Sequence, residues 1–525
     1  MQARPDNINT LLTLANWAAA EFKQFTPNQV QHIAQQVSQA ALEKAEFYAD
    51  WAVKETGFGN VADKTLKNQV NANAQLEQFD FNKYCGVSAD VDKQVLEIAK
   101  PAGVIAALIP STSPVATIYY KVMAALLTRN TVILCPHPGA KACSIDAADY
   151  LADVAEKAGA PKGAIQTLRS PSVALVGELM ESDKVDLILA TGGPAMVRAA
   201  YSSGNPALGV GPGNVACYVD CSADIERAAQ SLIQSKAFDN SLLCTCESVV
   251  IAHEKIADAL ALKMQSNGGY HVLGEELTKL RNYLYPEGKL NPHAIGKDAH
   301  FIATQAGFSV PPTTKVLGVE IDTISSEEPL SKEKLFPVLA MIKVNDFSQG
   351  LATAHAMLRI QGKGHSAAIH SNDEDMIAHW GISLPVCRIT VNAPAVLGSS
   401  GFATNLTPSP VIGTGFFGRS SISDNVAAKH LVQWTRVAWN KELQANMQQV
   451  ESKAISRINS QINLGINPSH STGLGPAGTV CHSQQVAGSD TPVSGRNSFG
   501  SEGDLQSLIK QLVQQELQSM LENRS

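Results

Sequence analysis

The feature that most narrows what this chain can fold into is an alternation of short apolar runs with longer helical patterns between about residues 94 and 240. Apolar runs at 102–109, 131–135, 164–168, 185–190 and 215–219 alternate with segments of helical spacing at 114–127, 140–158, 172–180 and 194–201. Strands joined through helices run parallel, so the rhythm predicts a largely parallel sheet covered on both faces. The pattern resumes with a helix over 223–236, a strand over 247–252, a helix over 253–265, and further elements at 336–343, 364–370, 372–379 and 385–391. Two such halves leave a cleft where a cofactor and a substrate can meet. Residues 8–56 read instead as successive helices, with Thr26 capping ahead of Pro27 and Gly57 and Gly59 ending the run.

At 525 residues and 55.8 kDa the chain exceeds what one core supports, and two or three domains are expected. Forty-one basic against 48 acidic residues give a net charge of -7 without a basic block, so no nucleic-acid partner is expected. The apolar runs fall short of the roughly 20 residues that cross a bilayer, and no membrane span is expected. The opening MQARPDNIN lacks a basic and then apolar leader, which sets the expectation of a cytoplasmic location. Nine scattered cysteines read as free thiols, and Cys244-x-Cys246 has neither a second close pair nor a histidine at ligand spacing, so no metal site is expected.

Three loops bear on chemistry. Thr191-Gly192-Gly193-Pro194 follows a strand tip and opens a helix; glycine there lets backbone approach a ligand, and a helix N-terminus favours an anion such as pyrophosphate. Tight βα turns also need glycine for structural reasons alone, so both readings stand. The turn Gly209-Val-Gly-Pro-Gly-Asn214 shapes a cleft wall but supplies no ionisable catalyst. Cys244 lies in Lys236-Ala-Phe-Asp-Asn-Ser-Leu-Leu-Cys-Thr-Cys-Glu247, between a helix and a strand. There a thiol is either a reachable nucleophile or, with Cys246, buried filler.

Ordered matches extend over more than 400 residues: Glu55 to Lys64, Pro101-Ala-Gly-Val-Ile, Thr128-Arg-Asn to Pro136-His-Pro, Leu189 to Val197, Tyr201 to Ala207, Gly209 to Asn214, Phe238 to Glu247, Glu333-Lys-Leu and Ser423 to Leu431. Through them residues 8–440 resemble the coenzyme A-acylating branch of the aldehyde dehydrogenase superfamily, including the aldehyde dehydrogenase half of bifunctional aldehyde/alcohol dehydrogenases. The resemblance implies an α/β aldehyde dehydrogenase fold with a Rossmann-like cofactor domain, an α/β catalytic domain and a β oligomerisation extension. It implies NAD as cofactor, coenzyme A as co-substrate and Cys244 as nucleophile. It further implies that Thr191, Gly192 and Gly193 face the dinucleotide phosphates, Pro136 and His137 the adenosine side, Gly209 and Gly211 the cofactor, and Glu333 the nicotinamide ribose. Hydrolytic relatives carry a general-base glutamate in the turn equivalent to 209–214; its absence here favours attack by a thiol over water. The implied substrate is a small aldehyde of the acetaldehyde or propionaldehyde kind, with an anionic one such as sulfoacetaldehyde, or hydrolysis to a free acid, as alternatives.

Two departures stand out. Ser113 occupies the place of an oxyanion-binding asparagine, and losing such a donor typically costs about 3–4 kcal/mol. Arg419 replaces a glycine or asparagine and is either a solvated charge or a contact for a substrate or coenzyme A anion. His365 is a candidate for the coenzyme A entrance or an ordinary loop histidine. The expected organisation is a helical N-terminus and NAD domain over 1–236, a catalytic domain over 237–425, an oligomerisation segment and helix over 426–462, a linker over 463–503 and an amphipathic helix within 504–525. Stretches 85–100 and 430–440 are expected to build a homodimer or a dimer of dimers. Leu505, Leu508, Ile509, Leu512, Val513, Leu517, Met520 and Leu521 form one stripe, expected to dock on a microcompartment shell protein or other cargo.

Overall fold

The computed structural model describes residues 7–463; the linker and the stripe of 504–522 lie outside the described residues. Three helices open the chain, Ile8–Phe22, Pro27–Glu43 and Ala45–Thr56. Thr26 and Gln29 form a capping box, and Gly57 ends the third helix at φ 69°. The left-handed conformation there is one glycine adopts without penalty.

A five-stranded parallel sheet follows, in the order Ile165–Thr167, Thr131–Cys135, Val104–Leu108, Leu187–Ala190 and Ala207–Gly209. The chain starts in the middle, steps to one side and then crosses to the other, which is the Rossmann-like topology. Its three central strands are buried at every position, which is why they read as unbroken apolar runs rather than alternating ones. Helix Pro114–Leu127 is likewise buried along its whole length.

The second sheet has seven parallel strands in the order Gly269–Val272, Val316–Glu320, Val338–Val344, Glu247–His253, Val215–Val219, Gly364–His370 and Val386–Val391. Because Val215–Val219 pairs with Glu247–His253, the change of sheet falls between Gly209 and Val215 rather than after residue 236. Strand Val215–Val219, expected with the cofactor domain, thus pairs within the seven-stranded sheet. Strands Gly269–Val272 and Val316–Glu320 were not anticipated: the first is a half-buried edge strand and the second is interrupted by Gly318 and ends on a charge.

The two stretches expected to build the extension meet in one antiparallel sheet, Val87–Asp90, Val95–Pro101 and Val432–Ala438, with Trp434 opposite Ala99. Helix Met447–Asn463 lies against it, seating Met447 between Val87 and Leu96. The architecture is the α/β aldehyde dehydrogenase fold with a β extension. Among the described residues no helix is long and apolar enough to cross a membrane, and no group of three or more His, Cys, Asp or Glu side chains is placed to hold a metal ion.

Candidate active site

The loop that presents Cys244 begins where helix Ile225–Ala237 ends. Asp239, Asn240 and Ser241 then take left-handed φ values of 46°, 53° and 64° in succession. Such a run persists only when its surroundings hold it. Asp239 is fully buried and does much of the holding: its N–H donates to Asp63 Oδ2 at 2.7 Å, and its carboxylate accepts from Lys64 at 3.0 Å and from Lys67. Asn240 donates to Gly296 O at 2.9 Å and Ser241 to Lys334 O at 3.3 Å. Past the loop, Thr245 donates to Val396 O at 3.3 Å and Glu247 accepts from Ala395 N at 2.9 Å, so the segment carrying Cys244 is fixed from both sides.

Cys244 Sγ lies 3.2 Å from His365 Nε2, at the start of strand Gly364–His370. Burial pushes the thiol up to about 12, with Glu333 and Cys246 adding to the rise and Arg388 opposing it. Burial, and then the Arg388 charge, pull His365 down to about 3. The resting pair is therefore a neutral thiol and a neutral imidazole. His365 is no proton store at rest; its ring nitrogen hydrogen-bonds sulfur and stabilises a thiolate when one forms. Glu333 Oε1 accepts the Gly213 N–H at 3.3 Å and its Oε2 accepts from Gln361 at 3.2 Å. Burial raises its carboxyl to about 7, against the Gly213 bond and the nearby Lys236 and Lys334 charges.

The turns that follow strands Val104–Leu108, Thr131–Cys135 and Leu187–Ala190 share the carboxyl edge of the five-stranded sheet, the side on which such sheets bind ligands. Thr191 Oγ1 is buried there without a hydrogen-bond partner. Gly193 caps helix Pro194–Ser202 with no side chain over its N–H groups, and a Cβ on Gly193 would meet nothing within 4 Å. An orphaned hydroxyl beside an open helix N-terminus fits a dinucleotide phosphate. A groove of about 810 Å³, lined by Pro194, Pro212, Ile324, Lys332, Arg359 and Gln361, runs from this turn to Gln361, which donates to Glu333. After strand Thr131–Cys135, Pro136 is buried, and exposed His137 accepts from Gly139 N at 3.0 Å, capping the turn that follows.

The remaining expected residues divide. Ser113 precedes helix Pro114–Leu127 and caps none of its N–H groups; its Oγ instead accepts from Lys67 at 2.6 Å. Gly211 packs on Thr414, with ordinary space for a Cβ. Gly209 is not open to a cofactor: it is buried, Tyr201 and Val197 occupy the space a side chain would need, and Tyr201 OH and Ser420 bond its backbone. Packing, not ligand approach, requires glycine there. His365 stands against the nucleophile itself, closer to the chemistry than an entrance residue. Arg419 is exposed at φ 58°, ending the turn Phe416–Gly418, and makes no ion pair among the described residues. Lys67, Asp239, Gln361 and Arg388 escaped sequence reasoning. No local pattern marks them, although buried Lys64 and Lys67 three residues apart on one helix were a signal available in the sequence.

A model of the aldehyde dehydrogenase family matches residues 1–278. The chain is 38% identical over 441 residues to the bifunctional aldehyde-alcohol dehydrogenase of Escherichia coli, covering 83% of this chain and 50% of that one. It thus spans about half the length of that relative. The crystal structure of an acetylating aldehyde dehydrogenase from Geobacillus thermoglucosidasius superposes with a TM-score of 0.81 at 39% identity, covering 82% of this chain and 96% of the other. A propionaldehyde dehydrogenase from the fucose utilisation bacterial microcompartment of Clostridium phytofermentans gives 0.76 at 29% identity, with 83% and 97% covered. By the family match and by these likenesses over more than four-fifths of its length, the chain belongs to the aldehyde dehydrogenase family, in its acylating branch.

Proposed function

We propose that this chain oxidises a small aldehyde with NAD and passes the acyl group from Cys244 to coenzyme A. The observation that carries the reading is the Cys244–His365 contact at 3.2 Å, walled by a 209–214 turn that contains no carboxylate. A nucleophile without a water-activating base at that wall forms a thioester that persists until a better nucleophile arrives.

In the proposed cycle the partly exposed Cys244 thiol gives its proton to solvent as its sulfur adds to the aldehyde carbon, and His365 hydrogen-bonds the sulfur. The carbonyl oxygen becomes an oxyanion, held by the Cys244 N–H and by the Ser113 hydroxyl. NAD, when bound along Thr191, Gly192 and Gly193 with Glu333 at its ribose, supplies the hydride acceptor. Loss of hydride leaves an acyl thioester on Cys244; the coenzyme A thiol then attacks the acyl carbon, the bond from that carbon to Cys244 breaks, and the proton of the attacking thiol ends on the Cys244 sulfur. The same groups serve the reverse reduction. An acetaldehyde or propionaldehyde type of substrate is supported by the likeness to an acetylating aldehyde dehydrogenase and a propionaldehyde dehydrogenase, and an anionic short aldehyde is the alternative.

The deciding experiment is product analysis with and without coenzyme A. Acyl-CoA and NADH in equal amounts support the proposal, and free acid formed equally fast without coenzyme A refutes it. The hydrolytic reading has one observation in its favour, that Glu333 comes near enough to Cys244 to raise its thiol and so stands as a carboxylate within the site.

For assembly, we infer a homodimer or dimer of dimers built through the three-stranded sheet. Strand Val432–Ala438 lies at the edge of that sheet, and Val437 is 42% exposed on it. For location, the apolar stripe of 504–522 after a Gly- and Ser-rich linker supports docking to a microcompartment shell, as does the likeness to a microcompartment propionaldehyde dehydrogenase.

A further inference from the structure

We propose that Arg388 is a positioning residue for the nucleophile, holding a fixed positive charge on the backbone of His365, whose ring lies on Cys244, while tying His365 and the 413–423 loop into one frame. This rests on Cys244 being the nucleophile, and not on which group accepts the acyl chain.

Arg388 stands on strand Val386–Val391, opposite Ser366 of the strand that carries His365. Its side chain is buried. Nη1 donates to His365 O at 3.0 Å, and Nη2 donates to Gly413 O at 2.6 Å and to Ser423 O. One guanidinium thus joins the histidine to both ends of the loop that bears Phe416 and Phe417. Gly364, next to His365, completes the seam: a Cβ there would overlap Thr414 O and lie 2.6 Å from Gly418 N.

Every acceptor is a neutral carbonyl. Among the described residues no carboxylate lies within 4.0 Å of Arg388, and Asp424, the acid whose field reaches it, is half exposed and engaged with Lys429 at 3.6 Å and His430 at 3.3 Å. Burying a cation without a counter-charge is costly, and neutral donors would serve three carbonyls at less expense. The charge itself therefore has a use. Facing Cys244 are Glu333 and Cys246, which raise its thiol, and Arg388 and its own backbone N–H, which lower it. The same cation disfavours protonation of His365, keeping its ring neutral against the sulfur.

The test reads sulfur directly, in cofactor-free enzyme, through carbamidomethylation of Cys244 by neutral iodoacetamide, located by mass spectrometry between pH 7 and 9. The variants are Arg388→Gln, which keeps amide donors without charge, and Arg388→Lys, which keeps charge with fewer donors. A thiol raised by about one pH unit loses tenfold in thiolate; the more basic thiolate recovers part of this, with a Brønsted slope near 0.4–0.5. Arg388→Gln should thus react about three- to tenfold more slowly at each pH, and Arg388→Lys within about twofold of the parent. Equal rates in parent and a folded Arg388→Gln overturn the proposal, as does an Arg388→Lys that is as slow as Arg388→Gln. If Arg388→Gln fails to fold, the Arg388→Lys rate decides alone: parental reactivity supports the charge and a tenfold loss overturns it. Failure to make acyl-CoA would sink the reaction assignment and leave this alkylation result standing.

Discussion

Gly213 passes so close to Cys244 that a methyl group on its α-carbon would overlap the Cys244 carbonyl oxygen and come within 3.2 Å of Glu333 Oε1. The constraint is spatial, so alanine must displace either the turn or the nucleophile loop. Displacements near 1 Å in a reacting group cost about 10²-fold. Gly213→Ala is predicted to keep its circular dichroism spectrum while kcat/KM falls by about that factor. Steady-state kinetics within threefold of the parent would show that the loop absorbs the methyl group without moving sulfur.

Burial pushes both thiols up to about 12, so reach and not acidity separates them: Cys244 is partly exposed, whereas Cys246 is buried at 5% exposure. Cys244→Ala should abolish turnover and Cys246→Ala should leave a clearly measurable rate. Near-parental activity in Cys244→Ala, or complete loss in Cys246→Ala alone, would move the nucleophile.

Ser113 is the weak point of the oxyanion site on paper, and Lys67 changes that assessment. An ammonium only donates, so Ser113 Oγ must accept from Lys67 and its own proton is released toward another acceptor. Ser113→Ala should lower kcat by about 10²-fold with KM little changed, and Ser113→Asn should not lower it. Parental kcat in Ser113→Ala would remove the hydroxyl from the mechanism. Asp239→Asn strands Lys64 and Lys67 together without a carboxylate partner, and urea unfolding should show a loss of about 3–5 kcal/mol.

What the sequence revealed follows burial and distance along the chain. Strands 104–108, 131–135 and 187–190 were legible because burial on both faces leaves only apolar residues in them. Strands 269–272 and 316–320 were not, since a half-buried edge carrying Tyr270 and His271, and a strand holding Gly318 and Glu320, lack that signature. The Cys244 loop was readable as a motif, but its partner His365 lies 121 residues away. That meeting depends on Glu247–His253 and Gly364–His370 flanking Val215–Val219, a strand order no local spacing reveals. The change of sheet between Gly209 and Val215 was hidden for a related reason: strands Ala207–Gly209 and Val215–Val219 follow one another in the same βα rhythm, so nothing in the pattern marks the switch.

Assembly and location are testable apart from catalysis. Light scattering should find a dimer or tetramer of the 55.8 kDa chain, and Val437→Glu in the edge strand should shift it toward monomer. A monomeric parent at working concentration would refute the assembly. Residues 500–525 fused to a fluorescent protein should form puncta in shell-producing cells and lose them with Leu508→Glu; diffuse fluorescence indifferent to that change would reject shell docking.

Glu333 offers a pH test whose two readouts share one cause. Its carboxyl is raised from the usual carboxylate range to about 7 by burial. A group raised on folding leaves the folded state unpenalised below its unfolded value near 4.5; as pH climbs toward 7 the charged form must be buried, and stability falls. Glu333→Gln removes that charge. The variant should melt higher than the parent at pH 8, and the gap should close as pH falls toward 5, as thermal unfolding at both values can measure. The Glu333 charge also raises the Cys244 thiol, so iodoacetamide should alkylate Cys244 faster in cofactor-free Glu333→Gln than in the parent at pH 8, with less difference at pH 6. Turnover should move the opposite way, with KM for NAD rising as the proposed ribose contact is lost. A variant with slower alkylation and an unchanged KM would place Glu333 outside both roles.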